Sequence, residues 1–106
     1  MANPFAGEVE LWLNGQRQVA RLTLGALAEL EAQMKADSLI ALIERFEAGS
    51  FASRDVLAVI VAGLRGGGWR GTADDLIAVE IEGGAIAAAK AAAALLARAF
   101  GDAPRG

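Results

Sequence analysis

The chain has 106 residues, a formal net charge of −3 and hydrophobic side chains at 55% of positions, much of that share supplied by alanine. It contains no histidine and no cysteine, which removes the commonest general base, the thiolate nucleophile, the usual transition-metal ligands and any disulfide. This length suits one domain with a modest core, and the mild acidity leaves no global footprint for nucleic acid.

The opening residues MANPFAGEVE hold neither a basic region nor an apolar run, so no targeting segment is expected. Residues 8–13 alternate as EVELWL and residues 16–22 continue as QRQVARL, with Asn14-Gly15 between them. Asn-Gly suits a type I′ turn, which needs positive φ at both central positions, so a two-residue hairpin is predicted. Pairing Leu13 with Gln16 sets Trp12 opposite Arg17, Glu10 opposite Val19 and Glu8 opposite Arg21. Val9, Leu11 and Leu13 then share the buried face with Gln18 and Ala20. The other face is expected to carry a cation–π pair, Trp12 on Arg17, and a charge pair, Glu8 with Arg21.

Helical spacing takes over after Thr23, which is placed to cap the first helix. Leu24, Leu27, Leu30 and Met34 form its apolar stripe, with Glu29, Gln33 and Lys35 facing out. Asp37-Ser38 opens a second helix lined by Leu39, Leu42, Ile43 and Phe46 and ended by Gly49. Ser53 is expected to cap a third, with Asp55 in its first turn and Val56, Leu57, Ile60 and Leu64 as its core face. RGGGWRG (65–71) reads as a loop. Thr72 and Asp75 have capping-box spacing for a fourth helix. Gly83-Gly84 breaks the chain before an alanine-rich final helix whose faces are set by Ile86, Lys90, Leu96 and Phe100. Its run AIAAAKAAAALLARAF (85–100) carries Lys90 and Arg98 and is shorter than the roughly 20 residues a membrane span needs. The fold class predicted is mainly α with an N-terminal β-hairpin: a single small domain (1–106) with the hairpin at 8–22, a cluster of four to five helices over 23–100, and a frayed tail at 101–106.

Few of the motifs carry chemistry. GGGWRG (66–71) matches G-x-G-x-x-G, but a helix precedes it and no helix opens within it, so glycine-mediated helix termination explains it better than phosphate binding. Arg65, Trp69 and Arg70 could stack on a nucleic-acid strand, yet two arginines in an acidic chain make a small footprint. Asp74, Asp75, Glu80 and Glu82 form an acidic group, and the first two are accounted for by a helix start. Ser38, Ser50 and Ser53 lie near predicted helix starts with no base to activate them. No catalytic, metal-binding or cofactor-binding residue is expected, and the chain does not read as an enzyme. Tryptophan and arginine dominate binding hot spots, so the candidate partner-binding residues are Trp12, Arg17, Arg65, Trp69 and Arg70.

GEVELWLNG (7–15), RLTLGALAELEAQM (21–34), SRDVLAVIVAGLRGGG (53–68) and the ending GG…AAAALLARAFG (83–101) resemble, in order, the small tail proteins of alphaproteobacterial gene transfer agents and related siphophages. "LTLGALAELE" and "AGLRGGG" are the most specific parts. Proteins of that family are described as tail tube proteins or, better suited to so short a helical chain, tail assembly chaperones. The resemblance implies a chaperone that binds the helical tape measure protein in the cytoplasm of the bacterial host. The tail tube protein is a second candidate partner, self-association a third, and no membrane is involved. The alternative is a structural tail (tube) component retained in the particle, although a tube subunit typically needs a β-rich core that one hairpin does not provide. A nucleic-acid-binding module acting through 65–71 is the weakest alternative.

Overall fold

The computed structural model describes residues 7–34 and 38–101 of the chain. Among them, two strands, β1 (Glu8–Leu13) and β2 (Gln16–Arg21), precede five helices: α1 (Leu24–Met34), α2 (Leu39–Ala48), α3 (Ser53–Gly66), α4 (Ala73–Ala78) and α5 (Gly84–Leu96). A π-helical turn, Ala97–Gly101, extends α5. The predicted fold class is the one observed. Lys35, Asp37 and residues 102–106 of the expected frayed tail fall outside the described residues, while Gly101, the first residue of that tail, ends the π-helical turn.

The hairpin forms in the predicted register, from Leu13 opposite Gln16 to Glu8 opposite Arg21. Asn14 and Gly15 take φ of 50° and 80°, as a type I′ turn demands. Val9, Leu11, Leu13 and Ala20 are buried on the inner face. Local chemistry also sets most helix ends. Thr23 Oγ1 accepts from the Ala26 amide at 3.0 Å, and Ser38 Oγ accepts from Ala41 at 3.1 Å. Thr72 and Asp75 form the reciprocal capping box that their spacing predicts. Gly49, at φ 74°, closes α2.

Central to the packing is α3, which contacts β2, α1, α4 and α5. Six successive residues, Val59 to Leu64, are buried, so this stretch of the helix is apolar all round, as a segment enclosed by other elements must be. Small residues bring its neighbours close. A Cβ on Gly63 would sit 2.7 Å from Leu95 Cδ1. One on Gly66 would fall 2.0 Å from the Arg21 carbonyl oxygen, and one on Gly67 1.9 Å from that of Val19. The end of α3 therefore lies directly against the backbone of β2.

Several side chains depart from the positions their spacing suggested. Arg65 and Gly66 belong to α3 rather than to a loop. The N-cap of α3 is Ala52, not Ser53; Asp55 accepts from the Ala52 amide at 2.8 Å, so the carboxylate supplies the cap from inside the first turn. In α1, Ala26 and Leu30 face the core while Leu24 is 85% exposed. Residues two apart on a helix point about 200° away from each other, and the approach of Gly66 to Ala26 fixes which of the two faces inward. In α5 the buried set is Ala88, Ala91, Ala92, Leu95 and Leu96, leaving Ile86 and Phe100 exposed. Close contact with α3 selects the alanine face.

At the α2–α3 corner, Arg45 donates to both oxygens of Asp55, at 3.1 and 3.0 Å. Phe46 and Phe51 stack beside it with centroids 4.6 Å apart. Burial pushes the Asp55 carboxyl up, but the hydrogen bonds from Arg45 and the Ala52 amide, with the charges of Arg45 and Arg54, bring it below its ordinary value. A depressed native pKa contributes stability that is present above the unfolded value, near 4, and is lost as pH falls through the native one. Asp55→Asn should therefore lower stability by about 1–2 kcal/mol at neutral pH, with the deficit shrinking below about pH 4 in urea melts across pH. Gly67→Ala should cost about 2–3 kcal/mol, because a carbonyl on β2 stands where the methyl would go. Gly25→Ala, whose nearest neighbour would be 3.9 Å away, should stay within about 0.5 kcal/mol of the native chain.

Candidate partner-binding surfaces

The outer face of the hairpin carries Glu8, Glu10 and Trp12 from β1 opposite Arg21, Val19 and Arg17 from β2. Trp12 is exposed, at 38%. The expected cation–π pair is replaced by an ion pair: the Arg17 guanidinium bonds the Glu10 carboxylate on the strand diagonal. That hydrogen bond from Arg17 holds Glu10 below the usual carboxylate range, with a smaller contribution from Trp12. An ion pair outcompetes ring stacking here because Glu10 lies within the reach of a long side chain. Between β1 and α5 runs a cleft of about 520 Å³ lined in part by Glu10, Trp12, Ala87, Ala91 and Ala94. Arg98 closes one end, its guanidinium donating to the Glu8 carbonyl at 2.8 Å.

The loop after α3 is more ordered than its composition suggests. The Trp69 amide donates to the Leu64 carbonyl and the Gly68 amide to that of Arg65, with Gly68 at φ 107°. This is the Schellman arrangement that ends helices at glycine. It turns the Trp69 ring back onto the core, where it packs half-buried against the apolar cluster and covers Gly71. Arg65 is exposed but engaged, to Glu29 at 2.9 Å and to the Gly71 carbonyl at 3.1 Å. Arg70 is exposed. Of the five predicted binding residues, Trp12 and Arg17 are thus brought together across the hairpin, and Arg17 shares a cleft with Gly66 and Gly67. Trp69 is turned inward. The amides of Gly67, Gly68 and Trp69 serve the last carbonyls of α3, which leaves them unable to cradle a phosphate.

A second surface had no counterpart in the sequence motifs. After α4 the chain runs back along β1: Asn14 exchanges two hydrogen bonds of 2.8 Å with Glu80, and the Glu82 amide donates to the Trp12 carbonyl at 3.0 Å. Leu13 and Ile81 pair as an isolated antiparallel bridge. The strap holds Ile81 at the wall of an apolar cleft of about 290 Å³ between α3, α4 and α5, lined chiefly by Phe51, Val56, Leu57, Leu76, Ala85 and Ala89. Ile77 and Ile86, adjacent in sequence to Leu76 and Ala85, are 69% and 71% exposed. The available signal was that α3 is apolar on more sides than one core face requires. Val56 and Leu57, assigned to the core by spacing, are half-buried at this cleft. No helix among the described residues is long and apolar enough to cross a membrane.

A hairpin seated on a five-helix cluster, with its clefts at the hairpin edge and the α3–α4–α5 junction, defines a small mainly helical domain. A family model described as phage tail tube protein, GTA-gp10, matches residues 6–102, and the chain belongs to that family. No curated protein and no solved structure matches it.

The two tryptophans should respond differently to truncation. Trp12→Ala should keep stability within about 1 kcal/mol of the native chain, as surface changes do. Trp69→Ala should lose about 3 kcal/mol through removal of a ring packed on the core. Urea melts of the two variants make the comparison, and equal losses would show that exposure has been misjudged at one of them.

Proposed function

We propose that this protein is a tail assembly chaperone: a binding protein, not an enzyme, that holds a helical segment of the tape measure protein in the bacterial cytoplasm while the tail tube is built. The observation that carries the reading is how the small sheet is finished at its edges. On the β2 side, Gly66 and Gly67 press against the strand carbonyls. On the β1 side, the 80–82 strap occupies the turn-proximal end. A subunit that polymerises through its sheet needs free edges to offer, and here both edges are partly covered. Besides Trp12 on the hairpin, the large exposed apolar side chains lie on helices, among them Leu24, Ile40, Ile77 and Ile86, where they suit capture of an amphipathic helix. The tail tube protein is the second partner this role brings within reach, and self-association a third possibility to be measured.

The family's description favours a different reading, a structural component of the tail tube. Copy number separates the two. Mass spectrometry of purified finished particles should find the chaperone absent, and co-expression with the tape measure protein should recover the two together in a pull-down. Many copies per finished tail would establish the structural reading instead.

A further inference from the structure

We propose that the open edge of β1 is a strand-addition site. Between Arg98 and the 80–82 strap it takes an extended segment of a partner protein, with alternate side chains apolar and turned toward α5. The site is separate from the helix capture proposed above and takes a different kind of segment.

The edge follows from the hairpin register. A two-residue turn makes Leu13 and Gln16 a hydrogen-bonded pair. The backbone groups of Val9, Leu11 and Leu13 therefore face β2, and those of Glu10 and Trp12 face away from it. The Trp12 carbonyl accepts from the Glu82 amide of the strap, and the Glu8 carbonyl accepts from Arg98. Between these two engaged carbonyls lie the Glu10 amide, the Glu10 carbonyl and the Trp12 amide. Among the described residues nothing bonds any of these groups. The cleft of about 520 Å³ between β1 and α5 runs along the same stretch, and Glu10 and Trp12 line it. From Glu8 to Trp12 the edge spans about 14 Å, the length of a short strand.

Those groups specify the occupant. Donor, acceptor and donor at strand spacing match an extended backbone, whereas a helix spends its own amides and carbonyls internally. The strap already pairs with β1 in antiparallel fashion at Leu13 and Ile81, so an added segment would continue a ladder that the fold has begun. A residue opposite Glu10 would share the outer face with Glu10 and Trp12. Its two neighbours would point the other way, toward Ala87, Ala91 and Ala94 of α5. Alanines make an apolar wall with room beside it, which favours aliphatic side chains at those two positions. Glu10 is held by Arg17, so the outer position asks for no charge. A second copy of the chain is a poor occupant. Its own Val9 and Leu11 are buried, and two-fold pairing about Glu10 would set like charges directly opposite each other.

The test uses the full chain and a short dye-labelled peptide in which valine and threonine alternate between terminal lysines. With the valines facing α5, the threonines turn their amides to β1. N-methylation of the threonines should weaken binding in fluorescence anisotropy by about tenfold, because the backbone bonds are lost. N-methylation of the valines should leave it unchanged. Amide hydrogen exchange at Glu10 and Trp12 should slow by about tenfold when the native chain is saturated with peptide. Glu10→Pro removes an outward amide that the hairpin does not use and should weaken binding by about tenfold, whereas Glu10→Thr should keep it. Circular dichroism and urea melts report whether both variants are folded, and the methylated peptides decide the matter if Glu10→Pro is not. Equal binding of the two methylated peptides, no binding of the unmodified one, or unchanged exchange at Glu10 and Trp12 overturns the inference. So does a native dimer in analytical ultracentrifugation that Glu10→Pro dissociates, which would make a second copy the occupant.

Discussion

The closeness of α3 to β2 governs the rest of this molecule. At Gly66 and Gly67 the helix backbone lies where any side chain would overlap the carbonyls of Arg21 and Val19. Two consequences follow. The central helix is pinned at its C-terminal end to the outer edge of the hairpin, and its neighbours must pack around what remains. Gly63 then admits Leu95 of α5, and Gly66 admits Ala26 of α1. Alanine and glycine, which contribute little burial individually, are in this way the residues that set interhelical distance, while Leu30, Leu42, Ile60, Leu64 and Leu95 fill the volume left.

Opposite that contact, the 79–82 strap ties the hairpin to the helices a second time. Asn14 serves both functions: its positive φ makes the turn, and its side chain and amide hold Glu80. Because Ile81 lies between those anchors and also walls the apolar cleft, the hairpin tip and the cleft are mechanically one unit. Trp12 belongs to the same connection through its carbonyl. The hairpin surface and the helix-lined surface are therefore joined by a few backbone bonds rather than independent.

Membership of a tail protein family sets the biological context, and the chemistry of the surface narrows it. The polar hairpin face is self-satisfied by the Arg17–Glu10 pair, and Arg65 is engaged by Glu29 and the Gly71 carbonyl. The exposed large apolar side chains include Trp12 on the hairpin and Leu24, Ile40, Ile77 and Ile86 on helices. Burying such side chains against another surface would gain free energy by excluding water.

How much of this could be read in the chain depends on the range of the interaction concerned. Asn14-Gly15 and the alternating EVELWL determined the hairpin and its register, because turn geometry and a period of two leave one pairing that buries one face. Thr23, Ser38, Gly49 and the Thr72–Asp75 pair determined helix ends, since caps act within a few residues. Those are local rules, and the sequence carries most of them; the start of α3, capped by Asp55 from inside its first turn rather than by Ser53, is the exception. Whether Leu24 or Ala26 faces inward, whether Trp69 is exposed, and which carboxylate Arg17 meets were decided by the assembled structure. So was the cleft, built from three helices and a strap far apart in sequence. Spacing says which residues share a face of their own helix; only the distance of closest approach between backbones, set here by Gly66 and Gly67 against β2, says which face is turned inward and what is left uncovered.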